Sequence, residues 1–431
     1  MSEEKKLNMP QSLLLLLLII GSVAVCIRLK TGGPMIGLFF SWIIIYLFCK
    51  WLKIKYDHVV SGAYDAIRVV VPTLCLLMAI GVMIGTWLQS GTIATIIAGG
   101  LKLIDPTWLL PLTLVFCAVL SLVTGTSYGS VGSAGVAMMA IGNAMGINPG
   151  MVAGAVICGA MFGDKLSPLS DTTNLAPAVA GAKLNDHVRS MLWTTLPTFV
   201  ISLVLFVILG ISQTSGGYEE GNLLVYTEAL QGEFKLGLVT LIPAAVIIVL
   251  LLCKVNAIVS LGLSSVCAGA VAFFCQSATL QSIIRVAYNG YTTQIEEAVL
   301  KTILNRGGMS SMLQYVAIIC FAVGMGGMLD RLGVLDNILR AITGRINSDG
   351  GLIFATLLVG YITSLISCSQ PMSHVLTGNM MKPLFKERKI APEILSRSLE
   401  DAGTLSGPMI PWHGYCVYMA GTLGVAWSAF F

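Results

Sequence analysis

Long uncharged apolar runs alternate with short charged stretches along the whole chain. No Asp, Glu, Lys or Arg occurs in 11–27, 69–100, 106–163, 191–218, 236–253, 255–284, 307–329, 350–373 or 402–431. A helix crossing the hydrocarbon core needs about 20 mostly apolar residues, so the pattern predicts an all-α polytopic membrane protein. The strands of an outer-membrane barrel would be polar at every second position, and these runs are not. Composition agrees, with 56% hydrophobic and only 11% charged residues. A soluble chain carries about 25% charged residues, so the missing polar surface must face lipid. The first run, Gln11–Ile27, follows Lys5 and Lys6 as the core of a signal peptide would. No A-x-A site follows it, and Val25 before Cys26 suits a lipoprotein site poorly, so it is read as the first transmembrane helix. The 11 cysteines stand singly in apolar runs with no C-x-x-C pair, as small packing residues do. The net charge of +4 implies no nucleic acid partner, because the basic residues cluster where loops belong.

Charge also orients the chain. Lys50, Lys53, Lys55 and Arg68 flank one loop, and Lys382, Lys386, Arg388 and Lys389 crowd another. Both are expected on the cytoplasmic side, with the N-terminus, by the positive-inside rule. The stretch 213–234 holds Glu219, Glu220, Glu228 and Glu233 with no Lys or Arg, so it is read as an external loop (213–235). The chain further resembles itself. Gly85–Ile97 aligns without gaps on Gly327–Leu339, Leu122–Ser130 on Leu365–Ser373, and Lys165-Leu-Ser-Pro168 on Thr404-Leu-Ser-Gly407. Three matches in one order at a nearly constant offset indicate a duplication. Crossings are expected near 11–27, 33–49, 69–89, 150–182 and 191–212, with 107–146 a re-entrant hairpin. An odd number of crossings makes the second copy, 236–431, an inverted one, with its hairpin at 351–385 and a broken helix at 392–426. Inverted repeats with sites near the midplane are an architecture of secondary transporters.

Four polar groups interrupt the apolar runs. Thr124–Ser130, with Thr126, Ser127 and Ser130, sits at the expected tip of the first hairpin; its Gly and Ser residues permit a tight turn that lines a cavity. Gly163–Pro177 holds Asp164, Ser167, Asp171 and Asn174 at a spacing that puts them on one helical face, with Thr172 and Thr173 beside them. A charge at mid-bilayer costs about 2.5–3.5 kcal/mol on insertion scales, so two Asp and Lys165 need a reason. Oxygen ligands in number suit a hard cation such as sodium, and a carboxylate can exchange that cation for a proton. Asp171, helped by Asp164, is the expected exchange site. Ser367–His374 contains Ser369 and Ser373 at the second tip, and Glu400–His413 contains Asp401, Thr404, Ser406 and His413 at the second break. Asp401 joins Asp164 and Asp171 as a candidate coupling carboxylate, and the hydroxyl, amide and imidazole groups form the candidate sodium or substrate set. His374 and His413 are either proton relays or neutral hydrogen-bonding residues. Tyr56–Arg68 and Ser282–Leu304 are amphipathic and are read as interfacial arms carrying a homodimer or scaffold contact, in a chain expected to form a homodimer.

Gly163-Asp-Lys-Leu-Ser-Pro-Leu-Ser-Asp-Thr-Thr-Asn-Leu-Ala-Pro177 resembles the signature of the NhaC-type sodium/proton antiporter family, within the wider ion-transporter superfamily. Ile84–Thr92 and Gly407-Pro-Met-Ile-Pro-Trp412 strengthen the likeness, which runs from about residue 10 to the end. The resemblance implies a scaffold domain and a transport domain of two hairpins and two broken helices moving as an elevator. It also implies that Thr126, Ser127, Asn174, Ser369 and Thr404 bind sodium and substrate. The function it implies is exchange of sodium for protons across the cytoplasmic membrane, with no cofactor beyond the two coupling ions. The alternative is a sodium- or proton-coupled exchanger of malate and lactate or of amino acids. An intramembrane aspartyl protease would show G-x-G-D where this chain reads Met161-Phe-Gly-Asp164, and would leave the repeat without a reason. A channel is the remaining reading, and two broken helices with titratable groups favour occluded exchange over an open pore.

Overall fold

A computed structural model describes residues 6–29, 33–214, 221–343 and 348–430. Glu219 and Glu220, part of the stretch read as an external loop, lie outside the described residues. The described chain is helical throughout and contains no strand. In order the helices are α1 (Met9–Arg28), α2 (Gly33–Leu52), α3 (Tyr56–Gln89), α4 (Thr92–Leu103), α5 (Pro106–Thr124), α6 (Ser127–Ser130) and α7 (Val136–Ala144). Then come α8 (Pro149–Leu166), α9 (Asp171–Ala180), α10 (Leu184–Thr214), α11 (Gly221–Glu233), α12 (Ile242–Leu252), α13 (Ala257–Cys275), α14 (Leu280–Asn289) and α15 (Ala298–Leu304). The last six are α16 (Met309–Arg331), α17 (Val334–Thr343), α18 (Asp349–Ser367), α19 (Gln370–Glu387), α20 (Pro392–Leu399) and α21 (Gly414–Leu423). Among the described residues, eight helices are long and apolar enough to cross a membrane, or up to 10 spans if each of two bent pairs counts as one.

Two expectations change. Tyr56–Arg68 is not a separate arm but the first part of α3, a single helix of 34 residues, because no breaker stands between it and the apolar run that follows. Within the expected external loop, α11 is helical up to Glu233. Glu233 then fastens the connection after α14: Tyr291 Oη donates to its carboxylate at 2.5 Å, and the Thr293 hydroxyl and the Gln294 and Ile295 amides donate to it as well. Burial, then the bond to Glu233, pushes the Tyr291 phenol well above its ordinary range.

The chain divides into two compact units. One comprises Met1–Leu74, Thr172–Ser190 and Gln314–Tyr418. In it α3 and α16 approach through glycine: a Cβ on Gly327 would overlap the Gly62 carbonyl oxygen, and one on Gly62 would lie 2.5 Å from that of Gly327. Small residues let helix backbones pack this closely inside a membrane, where burial from water drives nothing. The other unit comprises Cys75–Asp171, Met191–Leu313 and Met419–Phe431. Its most extensive helix pair is α5 with α8. Gly159 and Gly163 of α8 face the Leu114 and Ala118 carbonyls, and Ser121 Oγ donates to the Ala160 carbonyl at 2.7 Å.

Helix ends follow from local chemistry. Asp105 caps α5 by accepting from the Thr107 amide at 2.8 Å, with Pro106 in the first turn. The helix stops at Gly125, whose φ of 69° and ψ of 26° are left-handed. α18 is capped by Ser348 and stops at Cys368, φ 56° and ψ 21°. Gly125 and Cys368 are aligned positions of the internal repeat, as are the residues after them: Thr126 (φ −147°, ψ 117°) and Ser369 (φ −144°, ψ 123°). Gly91 and Gly333, also aligned, have φ of 74° and 73°.

Candidate functional site

In the unit containing α5 and α8, the chain breaks twice in close proximity. The first break is Gly125–Thr126, after which α6 begins. Thr126 caps α6, its Oγ1 accepting from the Gly129 amide at 3.3 Å, while Ser130 Oγ donates back to the Thr126 carbonyl at 3.0 Å. The chain then passes through a π-helical turn, Val131–Gly135, before α7; such turns widen the backbone spiral and are frequent at functional sites. The second break follows α8. Ser167, preceding Pro168, is extended at φ −78° and ψ 122°, the conformation a following proline imposes. Gly125 lies on this break: a Cβ there would be 2.6 Å from the Leu169 Cβ.

Between the two breaks sits Asp164. Its side chain is buried, at 8% exposure, and Ser127 Oγ donates to its Oδ2 at 2.5 Å. Lys165 beside it is 1% exposed. A buried charge persists only where hydrogen bonds or counter-charge replace water, and the Ser127 hydroxyl supplies one such bond to this carboxylate.

The unit containing α18 and α19 holds a second cluster. Ser369 stands at the N-cap position of α19 without a side-chain capping bond and is 3% exposed. Gln370 Nε2 donates to the Thr404 carbonyl at 3.1 Å, joining the tip to the broken crossing. α20 passes into a π-helical turn, Glu400–Thr404, then a short 3-10 turn at Gly407–Met409. Pro408 and Pro411 keep the chain from resuming as α-helix until Gly414. Glu400 is 0% exposed, and Thr404 Oγ1 lies 2.6 Å from its Oε2 and 3.1 Å from His374 Nε2. Ser373 Oγ donates to the Gly360 carbonyl at 2.9 Å and meets Thr363, so it is engaged within the hairpin. Ser406 is buried, its Oγ 3.4 Å from the Gly403 carbonyl. His413 Nδ1 accepts from the Tyr415 amide at 3.0 Å, which fixes that nitrogen as unprotonated and puts the proton of the neutral ring on Nε2.

Three expectations shift with this geometry. Asp164, Ser167, Asp171 and Asn174 do not share one helical face, because the helix ends at Leu166 and restarts at Asp171; the proline that marks the motif also breaks the periodicity. Asp171 and Asn174 are exposed and Thr172 half-buried on α9, with Thr173 buried. Asp171 opens α9, where a carboxylate complements the helix dipole. The buried acid of the second cluster is Glu400, which the sequence reading passed over for Asp401; Asp401 is partly exposed. Gln370 was likewise not singled out.

The oxygen-bearing side chains of both clusters, carboxylate and hydroxyl, suit a hard cation rather than a soft transition metal. Comparison with known proteins places the chain. A family model described as the Na+/H+ antiporter family matches residues 159–429, a span that includes the break after Asp164, the second hairpin and the second broken crossing. The chain belongs to this antiporter family. It is 35% identical to the Na(+)/H(+) antiporter NhaC of Alkalihalophilus pseudofirmus over 423 residues, covering 98% of this chain and 91% of the relative. The Na(+)/H(+) antiporter NhaC of Bacillus subtilis is 32% identical over 99% of this chain and 94% of its own length. A Malate-2H(+)/Na(+)-lactate antiporter of the same organism is 35% identical over 91% of this chain and 84% of its own.

Proposed function

We propose that this protein exchanges sodium for protons across the cytoplasmic membrane, and that Asp164 and Glu400 are the carboxylates at which the two ions compete. The observation that carries the reading is the buried Asp164, held by Ser127 between two helix breaks. A carboxylate removed from bulk water is stabilised either by a bound cation or by a proton, and that alternative is the elementary step of an antiporter. Sodium is the substrate that the neutral oxygens of Ser127 and Ser167, and of Ser369 in the second cluster, would help to hold. Relatives named as Na+/H+ antiporters support the choice of ion.

The finer architecture belongs to the same proposal. The equal dihedral angles at Gly125 and Cys368, at Thr126 and Ser369, and at Gly91 and Gly333 support a duplicated fold. Together with the loop charges, they favour inverted copies and a cytoplasmic N-terminus; a homodimeric scaffold and a transport body that moves as an elevator are what the family resemblance implies. Asp171 and Asp401, being exposed or partly so, act in attracting cations rather than in binding them. A second reading is kept by one observation: Lys165, almost fully buried beside Asp164, is a cation that an organic carboxylate would pair with, and the malate/lactate relative is as similar as the first sodium/proton one.

The two readings separate in proteoliposomes. An imposed sodium gradient should drive proton movement, followed with a trapped pH dye, in buffer free of organic acids and amino acids. A flux that starts only when malate, lactate or an amino acid is supplied would replace sodium/proton exchange by the second reading.

A further inference from the structure

Glu400, Thr404 and His374 are bound in series in a way that lets a proton move along them. The hydroxyl of Thr404 lies 2.6 Å from Glu400 Oε2 and 3.1 Å from His374 Nε2. All three side chains are essentially buried, at 0%, 1% and 0% exposure. One hydroxyl proton must serve two neighbours, so only two arrangements satisfy both bonds. In the first, Glu400 is ionised, Thr404 O–H donates to it, and His374 Nε2–H donates to the Thr404 oxygen. In the second, Glu400 is protonated and donates to the Thr404 oxygen, Thr404 O–H donates to a bare His374 Nε2, and the imidazole proton is on Nδ1.

The two arrangements differ by one proton. We propose that His374, Thr404 and Glu400 form a proton relay that loads and unloads the buried carboxylate of the second cluster. A proton taken up at His374 Nδ1 forms an N–H bond there, and Nε2 releases its proton to the Thr404 oxygen. Thr404 passes its former hydroxyl proton to Glu400 Oε2, so the carboxylate is neutralised and the imidazole ends neutral. Unloading runs through the same bonds in reverse. No heavy atom has to move more than a hydrogen bond requires, which suits a step that occurs out of contact with bulk water.

The surroundings hold this geometry rather than merely permit it. Gly403 is the residue beside which the imidazole lies: a Cβ there would stand 2.7 Å from His374 Cδ2 and 3.0 Å from Nε2. The π-helical turn Glu400–Thr404 brings a carboxylate and a hydroxyl four residues apart into one short bond. His413, the other histidine of the cluster, has no such chain, since its Nδ1 is occupied by a backbone amide. Asp401 lies on the same turn and Arg397 one turn earlier, the latter bonded to the Ser190 carbonyl at 3.5 Å. The relay rests on the sodium/proton reading above and adds to it the route of the proton.

Two exchange modes test it. Sodium–sodium counterflow, measured with radiolabelled sodium, needs no net proton transfer, whereas sodium–proton exchange does. His374→Gln should slow sodium–proton exchange about tenfold or more and leave counterflow within about twofold, and Thr404→Val should slow the proton mode more than counterflow. Thr404→Ser, which keeps the hydroxyl, should restore the proton flux, and heavy water should slow the wild-type proton mode but not counterflow. The relay is overturned if Thr404→Val keeps wild-type proton exchange, or if both modes fall together and Thr404→Ser does not rescue them. A wild-type protein that performs neither mode would instead overturn the sodium/proton reading itself.

Discussion

The two hairpin tips carry nearly the same backbone and different chemistry. At Gly125–Thr126 and Cys368–Ser369 the chain turns through left-handed and then extended conformations that differ by less than 15° in any angle. In each, the residue that follows reaches to the neighbouring broken crossing: Ser127 to Asp164, Gln370 to the Thr404 carbonyl. Yet the acids do not correspond. In the repeat alignment Asp164 falls opposite Gly403, and Glu400 opposite Met161. The first cluster sets its carboxylate against the Ser127 hydroxyl, next to the buried Lys165. The second places its carboxylate a turn earlier and threads it through a threonine to a histidine. The two breaks, which set where backbone and side-chain polar groups collect, match in backbone, while the groups gathered at them differ.

That contrast can be broken in several places. The largest effect expected is at the acids. Asp164→Asn and Glu400→Gln should each lower sodium-driven proton flux in proteoliposomes by about a hundredfold or more, while Asp171→Asn and Asp401→Asn should each cost only a few-fold. Equal losses at all four positions would erase the distinction between buried and exposed carboxylates. A smaller effect is expected at Ser127. Removing one hydrogen bond to a charged group is worth about 1.5–3 kcal/mol, so Ser127→Ala should weaken apparent sodium affinity by about 10- to 100-fold and leave the fold intact. No change in the sodium dependence would detach the tip from the site.

The left-handed residues give a third contrast. Gly125→Ala places a Cβ in a conformation that costs an L-residue about 1–2 kcal/mol and pushes it against Leu169. It should lower the melting temperature of the purified protein and its flux together. Cys368→Gly relieves the same strain and should change stability by less than about 1 kcal/mol. If both were neutral, the tips would not be held by this backbone. The smallest effect concerns orientation. In a cysteine-free background, Glu228→Cys and Glu387→Cys, both exposed, should transport normally and react with an impermeant thiol reagent from opposite sides. Labelling of both from one side would contradict the inverted arrangement.

Much of the fold was legible because lipid imposes it. Charge-free runs long enough to span marked α1, α3, α5, α10, α13, α16 and α18, and glycine, proline and hydroxyl residues inside those runs marked both breaks. The broken motif itself was misread in one respect: a spacing that would align Asp164, Ser167, Asp171 and Asn174 on a helix cannot do so across Ser167–Ser170, where Pro168 ends the helix. Glu400 was passed over because a sequence does not say which of two adjacent acids faces inward; the π-helical turn that decides it depends on packing against α18. The His374 bond to Thr404 joins residues 30 apart, and no local pattern announces it.

The central claim, that one buried carboxylate holds either a proton or sodium, is tested most directly by proton release. Sodium added to purified protein in weakly buffered detergent solution should liberate protons, read with a pH dye, saturably and at constant ionic strength. The account predicts that release falls in Asp164→Asn and in Glu400→Gln and is unchanged in Asp171→Asn and Asp401→Asn. It is contradicted if sodium binds without proton release, or if the exposed acids rather than the buried ones abolish it.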